Sequence, residues 1–159
     1  MDVLTQIRKP VEREMKDFES LFGITLQHQN PLLMIALRHV LSRKGKLMRP
    51  ILTLLAAKKY GEINDSVLHA AVSLEMLHTA SLVHDDVLDE TPERRGQPAL
   101  HRLVGNHGAV LCGNLFYLAS FRLITALGIP GGTELMLDTA RQMCQGEILQ
   151  ASLWNRRVS

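Results

Sequence analysis

Residues 67–96 read V-L-H-A-A-V-S-L-E-M-L-H-T-A-S-L-V-H-D-D-V-L-D-E-T-P-E-R-R-G. The run as far as Val83 is apolar almost all round a helix, the pattern of a central buried helix rather than a surface one. Pro92 disfavours helical geometry at Thr91, so the pattern predicts that the helix stops there. Asp85, Asp86 and Asp89, spaced D-D-x-x-D, then fall in the last turns. A helix end already carries about half a negative charge, and charges at the end of a central helix need partners. Asp85 and Asp89 are four apart in sequence and share one face. Mg²⁺ takes hard oxygen ligands, usually one or two carboxylates plus substrate phosphate oxygens. Arg94 and Arg95 add the fixed cations that a diphosphate also needs. The stretch therefore predicts a Mg²⁺–diphosphate site, set against the plainer reading of a solvated acidic helix end.

Upstream, residues 42–50 read S-R-K-G-K-L-M-R-P. Gly45 marks a turn, and Pro50 fits the first position of a following helix. Lys58 and Lys59 complement the negative end of that helix, and Gly61 suits a left-handed cap. Lys46 and Arg49 stand just ahead of its N-terminus, where backbone N–H groups favour an anion. At about 100° per residue, His78 shares a stripe about 40° wide with Asp85 and Asp89, which predicts a second phosphate contact deeper along the helix. Ser81 lies near that stripe and Leu77 borders it, whereas Ala80 projects about 140° away from Asp85.

The chain has 159 residues, 46% hydrophobic but only 4% aromatic, with Leu and Ala filling the apolar positions. Such a composition suits one all-α bundle. Helices are predicted near 3–20, 31–42, 50–60, 65–90, 106–127 and 133–155. Turns are expected at Gly23, Asn30-Pro31, Gly45, Gly61, Pro92, Gly96 and Pro130–Gly132. No stretch alternates at period two. A net charge of +2 argues against a nucleic-acid partner. The charged N-terminus is not a secretory signal, and the most apolar stretch, 103–121, is interrupted by Asn106, His107 and Asn114, a poor membrane span. Cys112 and Cys144 lack metal-type spacing and read as reduced core thiols, which places the chain in the cytoplasm.

Four segments together carry a resemblance: G-K-L-M-R-P at 45–50, E-M-L-H-T-A-S-L-V-H-D-D-V-L-D at 75–89, R-R-G-Q-P-A-L-H at 94–101 and G-E-I-L-Q at 146–150. In order and spacing they resemble the trans-isoprenyl diphosphate synthases, or polyprenyl synthetases, over nearly the whole chain. The resemblance implies an antiparallel helical bundle of the isoprenoid synthase type. It makes Asp85 and Asp89 the Mg²⁺ ligands, with Asp86 a third catalytic carboxylate. Arg94 would bind the allylic diphosphate, and Lys46, Arg49, His78 and Arg95 the isopentenyl diphosphate. It also adds Ala80 to Leu77 and Ser81 as the pocket that sets chain length. Small residues four and five positions before the motif imply medium or long products. The implied reaction is ionisation of an allylic diphosphate, attack on the cation by the double bond of isopentenyl diphosphate, and loss of a proton, with no protein nucleophile.

The chain also departs from the family. Leu47 and Met48 stand where arginine and leucine are common, Asn114 where aspartate is common, and no second Asp-rich motif follows Trp154. The sequence therefore reads as the N-terminal half of one all-α prenyl synthase domain, with little activity alone, completed as a homo-oligomer or by a complementary C-terminal half. Two other readings stand beside it. One is a non-catalytic subunit of a heteromeric prenyl synthase; the other is an HD-type metal phosphohydrolase built on His84-Asp85, which would prefer a transition metal bound through imidazole.

Overall fold

The computed structural model describes residues 2–25, 31–42 and 45–158. Its axis is helix α5, Asp65–Leu88. Asn64 caps it, the side-chain oxygen accepting from the Val67 N–H at 3.1 Å, a bond that satisfies one of the donors a helix start leaves open. Along α5, Ala71, Val72, Met76, Ala80 and Val83 are buried. Around it pack α2 (Glu12–Thr25), α4 (Met48–Lys58) and above all α6 (Leu100–Ala126). α1 (Val3–Arg8), α3 (Pro31–Ser42) and α7 (Gly132–Val158) complete the bundle. The main core joins Phe18 and Phe22, rings 5.7 Å apart, to Ile51, Leu54, Met76 and Phe116. A smaller cluster of Leu77, Ile124 and Met136 joins α5, α6 and α7. Between α5 and α6 the Ser73 hydroxyl donates to the Ser120 carbonyl at 2.9 Å, and the Ser120 hydroxyl donates to the Ser73 carbonyl at 2.8 Å.

The all-α expectation holds; the boundaries differ in instructive places. The 3–20 helix is broken by a 3₁₀ turn at Lys9–Val11 containing Pro10, and α2 then runs through Gly23, which is no turn. Leu47 adopts left-handed backbone (φ 48°), so α4 begins at Met48 and Pro50 is its third residue, not its first. Gly61 is not left-handed; α4 ends on Lys59 in ordinary helical geometry. α5 ends in a Schellman motif: Glu90 turns left-handed (φ 50°), its N–H reaches Val87 O at 3.3 Å, and the Thr91 N–H reaches Asp86 O at 3.0 Å. Asp89 is therefore the cap rather than an interior residue.

Beyond it, β1 (Glu93–Arg94) and β2 (Gln97–Pro98) form a hairpin too short to alternate visibly. Its turn is Arg95-Gly96, with φ of 55° and 72°, the signs that the tight twisted hairpin turn requires. α6 starts at Leu100 and is broken at Gly105 (φ 75°, ψ 164°), which explains why only the part beyond 106 reads as helix. The N-terminal turn residue Asn30 lies outside the described residues. Cys112 is buried as expected, but Cys144 is exposed. By length and composition α5 and α6 could each cross a membrane; here they pack on one another as core helices.

Candidate active site

The turn before α4, the start of α4, one face of α5 and the β-hairpin converge on a groove of about 650 Å³. Lys46, Arg49, His78 and Arg95 all line it, together with Glu75. Four residues far apart in sequence thus meet because the Schellman stop and the left-handed Arg95 fold the hairpin back towards Gly45. The Arg95 guanidinium lies directly over Gly45, in space that a Cβ there would occupy. Burial pushes the His78 ring down to about 4, and Arg49, Arg95 and Arg94 add to that shift. His78 is uncharged at neutral pH and so offers an N–H donor without further positive charge. Glu75 was not anticipated from the sequence. Burial raises its carboxyl above the usual range, while Arg49 and Arg95 pull it back.

Behind the groove, and sharing Glu75, His78 and Arg95 with it, is an apolar cavity of about 280 Å³ lined by Phe18, Phe22, Leu82 and Leu100. Asp86 and Arg94 reach this inner cavity rather than the groove. Arg94 Nε and Nη2 each lie 2.7 Å from Asp86 Oδ1, and Asp86 is only 2% exposed. The sequence grouped Asp86 with Asp85 and Asp89. One residue rotates the side chain by about 100° on a helix, and the structure turns Asp86 inward onto Arg94.

Asp85 and Asp89 line neither the groove nor the cavity. Burial raises the Asp85 carboxyl, and Glu147 of α7, Asp89 and Asp86 raise it further against the pull of Arg94. Glu147 lies within G-E-I-L-Q, but nothing local in the sequence says that α7 returns it to face α5. Among the described residues no group of three His, Cys, Asp or Glu side chains could hold a metal. A cation here would rest on two carboxylates and complete its shell from elsewhere. His84, the imidazole an HD-type site would need, instead places Nε2 3.1 Å from the Val110 carbonyl.

Leu77 and Ser81 are both buried, and the Ser81 hydroxyl donates to the His78 carbonyl at 2.8 Å. Leu77 packs in the smaller cluster, against which Tyr117 and Phe121 of α6 lean. Those rings stack 6.2 Å apart, a pair spaced four residues apart that the sequence reading did not use. Ala80, fully buried, belongs to the main core on another side of α5.

Comparison with known proteins agrees with this architecture. The sequence profile of the family described as Polyprenyl synthetase matches residues 30–159. The octaprenyl diphosphate synthase of Escherichia coli is 36% identical over 112 residues, covering 70% of this chain and 35% of that protein. Component 2 of the heptaprenyl diphosphate synthase of Geobacillus stearothermophilus is 38% identical over 113 residues, with coverage of 70% and 35%. Among solved structures, a polyprenyl synthase from Caulobacter crescentus, complexed with calcium and isoprenyl diphosphate, superposes with a TM-score of 0.88 at 29% identity. That match covers 93% of this chain and 45% of that one. The chain spans less than half the length of each of these relatives. With its helices, hairpin and motifs arranged in this way, the chain belongs to the polyprenyl synthetase family.

Proposed function

We propose that this chain supplies the diphosphate-binding half of a Mg²⁺-dependent trans-polyprenyl diphosphate synthase, which joins an allylic diphosphate to isopentenyl diphosphate. The observation that carries the reading is the single groove shared by Lys46, Arg49, His78 and Arg95. Three cations and a neutral imidazole are a donor set for a diphosphate.

The carboxylates at the end of α5 fit the metal. Asp85 is held above its ordinary range by burial and by Glu147 and Asp89, a surplus of negative charge that a divalent cation would relieve. Asp85 and Asp89 would hold it, leaving coordination positions for phosphate oxygens. When bound, Mg²⁺ stabilises negative charge on the departing diphosphate. On the protein side, Lys46, Arg49 and Arg95 bind and orient isopentenyl diphosphate, and the His78 N–H adds a directed contact. Arg94, locked against Asp86, presents a fixed cation toward the allylic side. Leu77 and Ser81 border the path of the growing tail, and the small side chains at Ser81 and Ala80 support medium or long products, as do the octaprenyl and heptaprenyl names of two relatives.

A complete clamp needs a second set of carboxylates, supplied by another segment or chain; alone, these 159 residues bind substrate but turn over little. One observation favours a partner chain. Leu111, Leu115 and Leu118 form an exposed apolar band along α6, and one relative is named as a component of a two-part enzyme. Calorimetry tests the core of the reading. Geranyl diphosphate should bind only with Mg²⁺, and isopentenyl diphosphate should bind without it and lose affinity in Lys46→Ala or Arg49→Ala. Equal binding of both ligands to wild type and variants would overturn it.

A further inference from the structure

His84 sits one residue before Asp85 and belongs neither to the groove nor to the carboxylate pair. Its ring leaves α5 and lies on α6 directly over Gly113. A Cβ at Gly113 would collide with Nε2 and would meet Cδ2 at 2.5 Å and Cε1 at 3.0 Å. Nε2 is also 3.1 Å from the Val110 carbonyl, so that nitrogen carries the proton and donates. On its other side the ring is 5.4 Å from that of Tyr117. A glycine inside a helix costs about 1 kcal/mol relative to alanine. Gly113 is buried and is not among the left-handed glycines. What its missing side chain provides is room for an imidazole.

The need for such an anchor follows from the position. Asp89 and Glu147 of α7 both act against the charge on Asp85, and the last turn that carries it is closed only by the capping bonds from Asp89, Glu90 and Thr91. Rotation or fraying of that turn would separate the two carboxylates that must meet one cation. We infer that His84, seated in the Gly113 notch, is a positioning residue that holds the last turn of α5 against α6 and so fixes where Asp85 and Asp89 point. The inference rests on the diphosphate-synthase reading only for what the two carboxylates bind; the anchoring is a matter of the ring, the notch and the carbonyl.

The experiment uses the full chain, with inorganic pyrophosphate and Mg²⁺ as probes. Gly113→Ala should displace the ring and weaken Mg²⁺-dependent pyrophosphate binding about tenfold, the range found when a group supporting a metal ligand is lost. Metal-free binding in the basic groove should fall by no more than about twofold, because of its lining residues only Arg95 is carried by the hairpin that follows the last turn, while Lys46, Arg49 and His78 stand on other elements or further back along α5. His84→Ala should behave likewise, the double variant should be no worse than either single one, and His84→Gln, which retains an N–H donor, should recover most of the affinity. In parallel, the backbone amide NMR signals of Asp85 and Asp89 should shift in Gly113→Ala and His84→Ala. Those signals need no ligand. A wild-type chain that fails to bind pyrophosphate with Mg²⁺ would count against the synthase reading alone, while the amide signals still decide the anchor. Unmoved amide signals, additive losses, or equal loss of both binding modes would overturn the inference.

Discussion

Arg94 brings both Nε and Nη2 to within 2.7 Å of one oxygen, Oδ1, of the nearly buried Asp86. The middle carboxylate of the D-D-x-x-D motif therefore serves the interior: it ties the hairpin to the end of α5 and fixes an arginine that would otherwise swing in solvent. Its two neighbours in the motif, the half-buried Asp85 and the exposed Asp89, are left outside that interior pair.

This division of labour separates the aspartates experimentally. Asp86→Asn should lower stability by about 1–3 kcal/mol in urea melts, since it removes a charge-assisted pair and leaves Arg94, 30% exposed, to turn partly to water. Asp89→Asn, at an exposed cap among like charges, should leave stability unchanged or slightly raised. It should nevertheless abolish Mg²⁺-dependent binding of an allylic diphosphate in calorimetry. Loss of stability in Asp89→Asn with Asp86→Asn silent would reverse the assignment.

His78 should give stability a pH dependence of definite sign. In the native chain the ring takes up a proton only near 4, against 6.5 ordinarily. Between those values the unfolded chain binds more protons, so His78 makes stability rise with pH and adds nothing further above 6.5. Glu75, raised by burial, works in the opposite direction, so the quantity to compare is wild type minus His78→Gln. That difference should grow from about pH 4 to pH 6.5, and the His78 ring proton followed by NMR should titrate near 4. Titration at the ordinary value would contradict the buried placement.

The reciprocal Ser73–Ser120 bonds predict non-additive stability. Each hydroxyl donates to the carbonyl of the other residue, and both residues are fully buried. Ser73→Ala and Ser120→Ala should each cost about 1 kcal/mol. The double variant should cost less than the sum by about 0.5 kcal/mol or more, because the two share one environment.

Chain-length control should distinguish two adjacent positions. In a complete enzyme carrying this half, Ser81→Phe should shorten the products resolved by chromatography. Ala80→Phe would instead force bulk into the main core, where Ala80 is fully buried, and should cost about 1–3 kcal/mol of stability. Unchanged products from Ser81→Phe would place the tail elsewhere.

Much of this is legible in the sequence. The run from Val67 to Val83 announces a central helix because it leaves almost no polar face, and Thr91-Pro92 places its end within a few residues. Position alone sets Lys46 and Arg49 before a helix start and His78 on a stripe with the aspartates; only the resemblance to the prenyl synthases joins them to Arg95 as one group. What stayed hidden depends on backbone signs that residue type does not reveal. Leu47, Glu90 and Arg95 are left-handed, and leucine, glutamate and arginine give no hint of it. Conversely, Gly23 and Gly61 look like turns and are not left-handed, whereas the break at Gly105 falls where the predicted helix begins and conceals the helical turn from Leu100 ahead of it. The inward turn of Asp86 needs the hairpin, and the approach of Glu147 to Asp85 needs α7; neither contact is local.

α7 is 27 residues long, yet among its described side chains Met136 alone is buried. Amide hydrogens beyond that contact should exchange with solvent far sooner than those of α5, which is enclosed by α2, α4 and α6 and opens only when the whole bundle does. Glu147 lies beyond that contact, so the negative charge it sets near Asp85 is held there by α7 alone; comparing amide exchange at Glu147 with that at Asp85 would read how independently the two can move.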